Sequence, residues 1–321
     1  MGRAAPALAL ALLTAGCLAH QYRSSPQIAV VDGDPIVQMA PPSSFPSVSQ
    51  PPLVAADLHS DRPDDDASLV GLTVGAVPRA YPIGLLDRFE VLNDSVPDLP
   101  FVIARCALTG VVAVYDRRVG GRPLLFDNSG ALWRDTLVLR DRETGSYWSA
   151  ATGRALTGPL AGTILRPVPA FLTRTASWSR VFPRSLYLDL DDDTSEPLMM
   201  RLYEKSPWQG ISGQKTADQR HRAKDDVFAV TDAESGQALA FTAEEIRRLG
   251  AVQTTLAGKP LSIEWDPSLE APRAYTAGPD RVALAVVPMY WFALDRHFAT
   301  VQTLGEASRL RLSTLPSEKN P

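Results

Sequence analysis

A chain of 321 residues with 45% hydrophobic and 21% charged residues is composed like a globular protein, with enough apolar material for one large domain or two small ones. Its formal charge of -4, with no window rich in Lys or Arg, provides no basic face for phosphates and argues against nucleic acid as a partner. With only two cysteines, Cys17 and Cys106, a disulfide framework is excluded.

The first segment, MGRAAPALALALLTAGC, sets Arg3 before an apolar run at 7–13 and small residues before Cys17. That run is far shorter than the ~20 residues a bilayer-spanning helix needs, so it reads as an export signal. Thr14-Ala15-Gly16-Cys17 resembles the lipobox of bacterial lipoproteins, in which the cysteine is acylated, palmitate included, and becomes the first mature residue. The competing reading is an ordinary cleaved signal that happens to contain Cys17. On the lipobox reading, 1–17 is a signal peptide, Cys17 is the lipidation site, and the membrane is a partner through the anchor. Leu18 after the cysteine then favours the periplasmic face of the outer membrane in a Gram-negative cell. Cys106 is left as a single thiol in an oxidising compartment.

Residues 18–54 carry Pro41, Pro42, Pro46, Pro51 and Pro52 and are expected to form an extended tether, with Ile28, Val30, Val31, Phe45 and Val48 able to dock on the domain. A β-rich domain is expected over 55–312, followed by a tail at 313–321. Within the domain, short apolar runs alternate with turn residues: PFVIARC, VVAVYDR, RPLLFDNSG, DTLVLRDRETGSYW, GTILRPV and SLYLDL read as strands. RVGGR at 118–122 reads as a two-residue Gly-Gly hairpin. Thr242 and Glu245 form a capping-box pattern that opens a short helix through Leu249, and 83–89 is its counterpart.

The counterpart is systematic. Shifting the chain against itself by 160 residues lays RAYPIGLLDRFEVLNDSVPDLPFVIARC over LAFTAEEIRRLGAVQTTLAGKPLSIEWD without a gap. The fold expected is therefore α+β, mainly β, in two related halves at roughly 65–200 and 220–305, each a strand, a short helix and a run of strands. Cys106 falls on Asp266, so whatever the thiol does is expected to be absent from the second copy.

In order along the chain, RAYPIGLLDRFEVLND, VIARCALTGVVAVYDRRVGG, LLFDNSGALWRDTLVLRDRETGSYWSAATGRALTGPLAG, TRTASW and MYWFALDRHF resemble the segments of the bacterial and archaeal family called domain of unknown function 3179. The resemblance covers roughly 69–300 and implies kinship without an assigned activity. Where the family pattern has a HEIVND-like run, CPLC and FGVSG, this chain has FEVLND with Phe89 at the histidine, CALT with Thr109 at the second cysteine, and FDNSG. A C-x-x-C pair can bridge or bind a metal; Cys106 alone can do neither.

Candidate chemistry centres on Cys106, with Glu90, Asn93, Asp94, Ser129 and Asp141 as companions. The bland reading makes the thiol a buried small hydrophobe. A copper or zinc site would add His221, His297 or a methionine among Met199, Met200 and Met289, but their spacing gives no support. DLDDDTSE, with Asp189, Asp191, Asp193 and Glu196, could hold calcium but lacks the EF-hand glycine and distant glutamate. Ser129 lacks a nucleophile elbow, and Asp141-Arg142 reads as a strand-bracing pair. Trp133, Tyr147, Trp148 and Trp178 either line a groove for a glycan or peptide or fill the core. The leading expectation is a non-catalytic envelope lipoprotein that binds or scaffolds an unidentified envelope partner or ligand, with no cofactor. The alternative is a thiol-centred metal-handling, redox or enzymatic site around Cys106.

Overall fold

The computed structural model of the chain describes residues 19–57, 63–190 and 198–305. Cys17 and the segment read as a signal peptide, Asp191, Asp193 and Glu196 of the calcium reading, the tail 313–321, and the side chains of Met199 and Met200 lie outside the described residues.

The duplication is present strand by strand. Copy one begins β5 (Ser68–Leu72), β6 (Arg79–Pro82), α1 (Ile83–Phe89), β7 (Val91–Val96), β8 (Leu99–Cys106) and β9 (Val111–Asp116). Copy two begins β19 (Asp226–Asp232), β20 (Gln237–Phe241), α4 (Ala243–Leu249), β21 (Ala251–Leu256), β22 (Lys259–Asp266) and β23 (Ala271–Thr276). From α1 to β9 every boundary recurs 160 residues later. Copy one closes with β16 (Arg166–Pro167), β17 (Phe171–Arg174), α2 (Thr175–Val181) and β18 (Leu186–Leu188). Copy two closes with β24 (Ala283–Leu284), β25 (Val287–Tyr290), α5 (Trp291–His297) and β26 (Thr300–Thr303). For β17 and α2 the offset is 116, and the registers of the last strands agree with it: β18 sets Leu186 against Arg79 in parallel, and β26 sets Gln302 against Leu239. α3 (Leu198–Glu204) lies between the copies, where the Tyr203 hydroxyl donates to the Leu108 carbonyl at 2.6 Å.

The drop in offset marks an insertion in copy one: β10 (Arg118–Val119), β11 (Arg122–Pro123), β12 (Phe126–Trp133), β13 (Thr136–Asp141), β14 (Tyr147–Ser149) and β15 (Ala155–Thr157). β10 and β11 are the expected Gly-Gly hairpin, with Gly120 and Gly121 at φ 56 and 79, the left-handed pair that a tight hairpin requires. The other four join β1 (Gln27–Val31) and β2 (Asp34–Gln38) in the order β1-β2-β12-β13-β14-β15. The two end strands touch, so this sheet curls around Ile36, Ala131, Trp133, Val138 and Leu156.

The expected tether is thus corrected. Of residues 18–54, 27–38 complete the inserted sheet, β3 (Val48–Ser49) pairs with β7, and β4 (Leu53–Ala55) pairs with β18. The prolines fall between these strands, where no ladder donor is needed. Val30 stays 63% exposed.

The helix boundaries follow local chemistry. At α4 the Thr242 hydroxyl accepts from the Glu245 N–H at 3.1 Å, and the Glu245 carboxylate accepts from the Thr242 N–H at 2.7 Å. The helix stops at Gly250, with φ 74; α1 stops at the equivalent Glu90, held left-handed at φ 54 without glycine's freedom.

β8 and β9 are buried on both faces because two cores meet there. Phe101, Ile103, Val112 and Val114 point into copy one's own core, whereas Val102, Ala104, Cys106, Val111 and Ala113 point into a core shared with the insertion and copy two. The copies clasp reciprocally. β25 lies on β9, with the Tyr290 N–H donating to the Thr109 carbonyl at 2.8 Å. β17 lies on β23, with the Thr173 hydroxyl donating to the carbonyl of Leu269, the residue equivalent to Thr109.

Gly71 on β5 is where α2 comes closest, since a Cβ there would lie 2.1 Å from the Trp178 ring. Gly71→Ala is expected to destabilise the protein by about 3 kcal/mol, read by urea denaturation, because the fully buried indole has no room to yield. A loss under 1 kcal/mol would show that α2 is not clamped.

Candidate functional site

β12 and β13 turn through Arg134 and Asp135, at φ 53 and 63. Tight hairpins usually place Asn or Gly there, and left-handed backbone costs about 1 kcal/mol or more for other residues. Tertiary contacts hold the turn. Asp135 is fully buried; it accepts from the Ile211 and Ser212 N–H groups at 2.7 Å each, from the Ser212 hydroxyl at 2.5 Å, and from the Arg296 guanidinium. A Cβ on Gly210 would lie 2.3 Å from the Asp135 carboxyl carbon, so this approach requires glycine. Arg134 lies 4.3 Å over the Trp133 ring, pairs with Asp34 at 2.7 Å and donates to the Arg296 carbonyl at 2.7 Å.

Between this turn, the end of α5 and the Asp218–Arg220 pair lies a cleft of about 560 Å³. Arg134, Arg154, Arg220 and Arg296 face Asp32, Asp218 and Asp295 across it. Arg154 pairs with Asp32, Arg220 forks onto Asp218, and Asp295 accepts from the Thr216 hydroxyl. All four arginines, and Asp32 and Asp218, thus have a partner of opposite charge, while Asp295 is held by a hydroxyl. No cysteine, serine or lysine is among the described lining residues.

His297 forms part of the wall. Its ring meets Trp133 at 5.3 Å, and burial, followed by the Arg134 and Arg296 charges, lowers its pKa to about 3. The Thr136 hydroxyl donates its one proton to Thr109 at 3.3 Å, so the contact of His297 Nε2 with Thr136 Oγ1 at 2.7 Å is an Nε2–H donation. Nδ1 is buried and has no partner among the described residues.

Cys106 is 1% exposed. The Leu137 N–H donates to its sulfur at 3.4 Å, and the Thr109 N–H donates to the Cys106 carbonyl at 3.2 Å. Burial and the neighbouring Glu90 charge still push the thiol pKa up. In copy two Asp266 stands in the place of the thiol. Its carboxylate accepts from the Ser268 and Leu269 N–H groups at 2.9 and 3.1 Å, capping the turn equivalent to the one that follows Cys106. Thr109 stands where the family pattern has its second cysteine, within hydrogen-bonding reach of the sulfur, while Phe89 is half-buried at the end of α1.

The other candidates do not gather around the thiol as a reactive set. Glu90 does lie near it, accepting from the Asn128 amide, with a pKa raised to about 7 chiefly by burial. Asn93 bridges to Phe126, donating to its carbonyl at 2.8 Å and accepting from its N–H at 2.9 Å. Asp94 binds Arg79 and Tyr81 at 2.5 and 2.6 Å. Ser129 is fully buried in a bulge of β12, donating to the Val138 carbonyl at 2.5 Å. Asp141 accepts from Thr144, Ser146 and the Trp148 indole and so folds the turn of DRETGSYW. Arg142 pairs with Asp127 rather than with Asp141, which corrects the bracing-pair reading.

His221 packs on Trp291 at 4.7 Å, and Met289 is core. Among the described residues, no three His, Cys, Asp or Glu side chains are placed to hold a metal ion. Of the aromatics, Trp148 and Trp178 are core, and only Trp133 reaches the cleft. Asp135, Arg154 and Arg296 were not singled out from the sequence; the only local signal was a Trp-Arg-Asp-Thr turn between two apolar strands.

His297 and Glu90 give opposite pH dependences. The unfolded imidazole protonates near 6.5 and the folded one near 3, so His297 makes stability fall as pH drops through that range. Glu90 binds its proton near 7 in the fold and near 4.5 unfolded, so it makes stability rise as pH drops from 7 to 4.5. Between 6.5 and 4.5 the slopes, each about 1.4 kcal/mol per pH unit, cancel. In Glu90→Gln, urea denaturation should show stability falling by about that slope over this range while the wild type stays flat; parallel profiles would refute the assignment.

A search of curated proteins finds no match, and neither does a search of solved structures. The family model described as protein of unknown function (DUF3179) matches residues 42–319, from the short turn before β3 to beyond β26. With most of its length matched in one continuous span that holds both copies and the insertion, the chain belongs to the DUF3179 family.

Proposed function

We propose that this DUF3179 protein is a non-catalytic binding module of the cell envelope, anchored through an acylated Cys17, and that the cleft beside Trp133 seats its ligand. The observation that carries this reading is the contrast between the two candidate centres. The thiol is enclosed at 1% exposure with its companions engaged in structural bonds, whereas the cleft is open and lined by charged groups held in place by partners. Fixed planar donors and acceptors of both signs fit a hydroxyl-rich polar solute, such as a short saccharide, better than a free ion. The lipobox pattern Thr14-Ala15-Gly16-Cys17 supports the location.

The hydrogen bonds that join Thr109, Thr136 and His297 in a row beginning beside Cys106 are the one observation that favours the thiol-centred alternative, with copper or zinc as its metal. Native-state labelling of Cys106 with a small disulfide reagent separates the readings. The expected rate is ~1000-fold below that of the unfolded chain and unchanged by zinc or copper(I), as for a thiol reached only by opening of the core. Fast labelling blocked by metal would put the alternative first.

The cleft itself is tested by titrating short N-acetylglucosamine oligomers while following tryptophan fluorescence. Arg154→Ala is expected to weaken binding ~10-fold, the loss of one charge-assisted hydrogen bond. Absence of saturable binding, or equal affinity in the variant, would remove the cleft as the ligand seat.

A further inference from the structure

The two copies differ at one sheet edge. In copy one the outer edge of β7 is covered by β3, which runs parallel to it, setting Val48 against Leu92 and Ser49 against Asn93. The Gln50 N–H then donates to the Asn93 carbonyl at 2.9 Å. The equivalent strand in copy two, β21, pairs with β22 on one side, and among the described residues no strand pairs with its other side. By the 160-residue equivalence, Gln253 occupies the place of Asn93, so its N–H and C=O face outward.

This edge lacks the usual protection. Exposed edge strands are normally blunted by charge, proline or a bulge. The six residues Ala-Val-Gln-Thr-Thr-Leu carry no charge and no proline, and their register with β22 is unbroken. Ala251, Gln253 and Thr255 are exposed. The adjoining face has diverged to suit water. Copy one has Asn93, Val102 and Ala104 buried there; copy two has Gln253, Ser262 and Glu264, lining a groove of about 360 Å³ in which Glu264 pairs with Arg281 at 2.5 Å.

We propose that the outer edge of β21 is a docking site for an extended peptide segment of another protein, which adds as a parallel strand in the register that β3 takes on β7. The occupant is read from the chain's own segment on the equivalent edge, the uncharged Val48-Ser49-Gln50 followed by Pro51-Pro52. Main-chain pairing supplies the affinity, and the groove beside the strand selects a polar side chain. A second copy is the poorer fit, because two identical edges related by a twofold axis pair antiparallel, whereas the internal template is parallel.

The test uses the full chain and a synthetic peptide of sequence PSVSQPPLV, residues 46–54. Saturable binding is expected, with amide-exchange protection gained over Ala251–Leu256. Gln253→Pro removes an outward N–H and keeps the pairing with β22, and Thr255→Lys keeps every ladder bond while adding an edge charge. Each variant is expected to lower affinity at least ~10-fold with the thermal transition retained. Absence of saturable binding, protection elsewhere, or undiminished binding in both variants overturns the proposal. So does a wild-type dimer that Gln253→Pro converts to monomer, which assigns the edge to a second copy. Binding that appears only when the chain is ended at 305 also overturns it, by assigning the edge to the chain's own C-terminal segment.

Discussion

The reciprocal clasp between the two copies is the constraint on which the rest of the structure depends. Each copy sends a late strand, β17 or β25, across the central sheet of the other, and each crossing is tied to the equivalent turn, at Leu269 or Thr109. Neither copy can bury its central sheet alone: β9 is fully buried because β25 covers it. The insertion then covers the remaining face of β7 and β8 in copy one, which is why Val91, Val102 and Ala104 belong to the shared core. Its strand ends, in turn, place Trp133 and Arg134 against α5 and thereby create the cleft.

Duplication also explains the thiol. Cys106 and Asp266 end equivalent strands and open equivalent turns; Asp266 accepts from the Ser268 and Leu269 N–H groups, and the Cys106 sulfur accepts from the Leu137 N–H. An exposed turn can be capped by a carboxylate, which water helps to solvate. The turn after β8 is enclosed by the shared core, where a neutral thiol avoids the penalty of a buried charge. The same divergence appears in backbone conformation. Left-handed positions filled by Gly250 and Gly110 in one copy hold Glu90 and Glu270 in the other, each with its carboxylate engaged, by Asn128 and Ser177 respectively.

The cleft is polar without being strongly charged, and its rigidity has a physical source. Asp135 joins the hairpin turn, the 210–212 loop and Arg296 in one buried network. Breaking such a network by removing one partner typically costs about 3 to 5 kcal/mol. His297 stays neutral beside two guanidinium groups, so the wall keeps its charge across the physiological range.

Much of the fold was legible in the sequence by itself. The capping box at Thr242, the Gly-Gly turn and the alternation of apolar runs are local signals, and the shift by 160 residues aligned the two copies to the residue from α1 to β9. Such features depend on neighbours within a few positions, which a sequence displays directly. What only the tertiary structure decided lies in contacts across about 80 to 160 positions. Examples are Asp34 and Asp32 drawing Arg134 and Arg154 into the wall, Asp135 meeting Arg296, and His297 meeting Thr136. The proline-rich start reads as a tether because its strands are short and find their partners only once β7, β12 and β18 exist. A carboxylate in a turn has the same sequence signature whether water or an arginine satisfies it; burial decides which, and burial is a property of the assembled sheets.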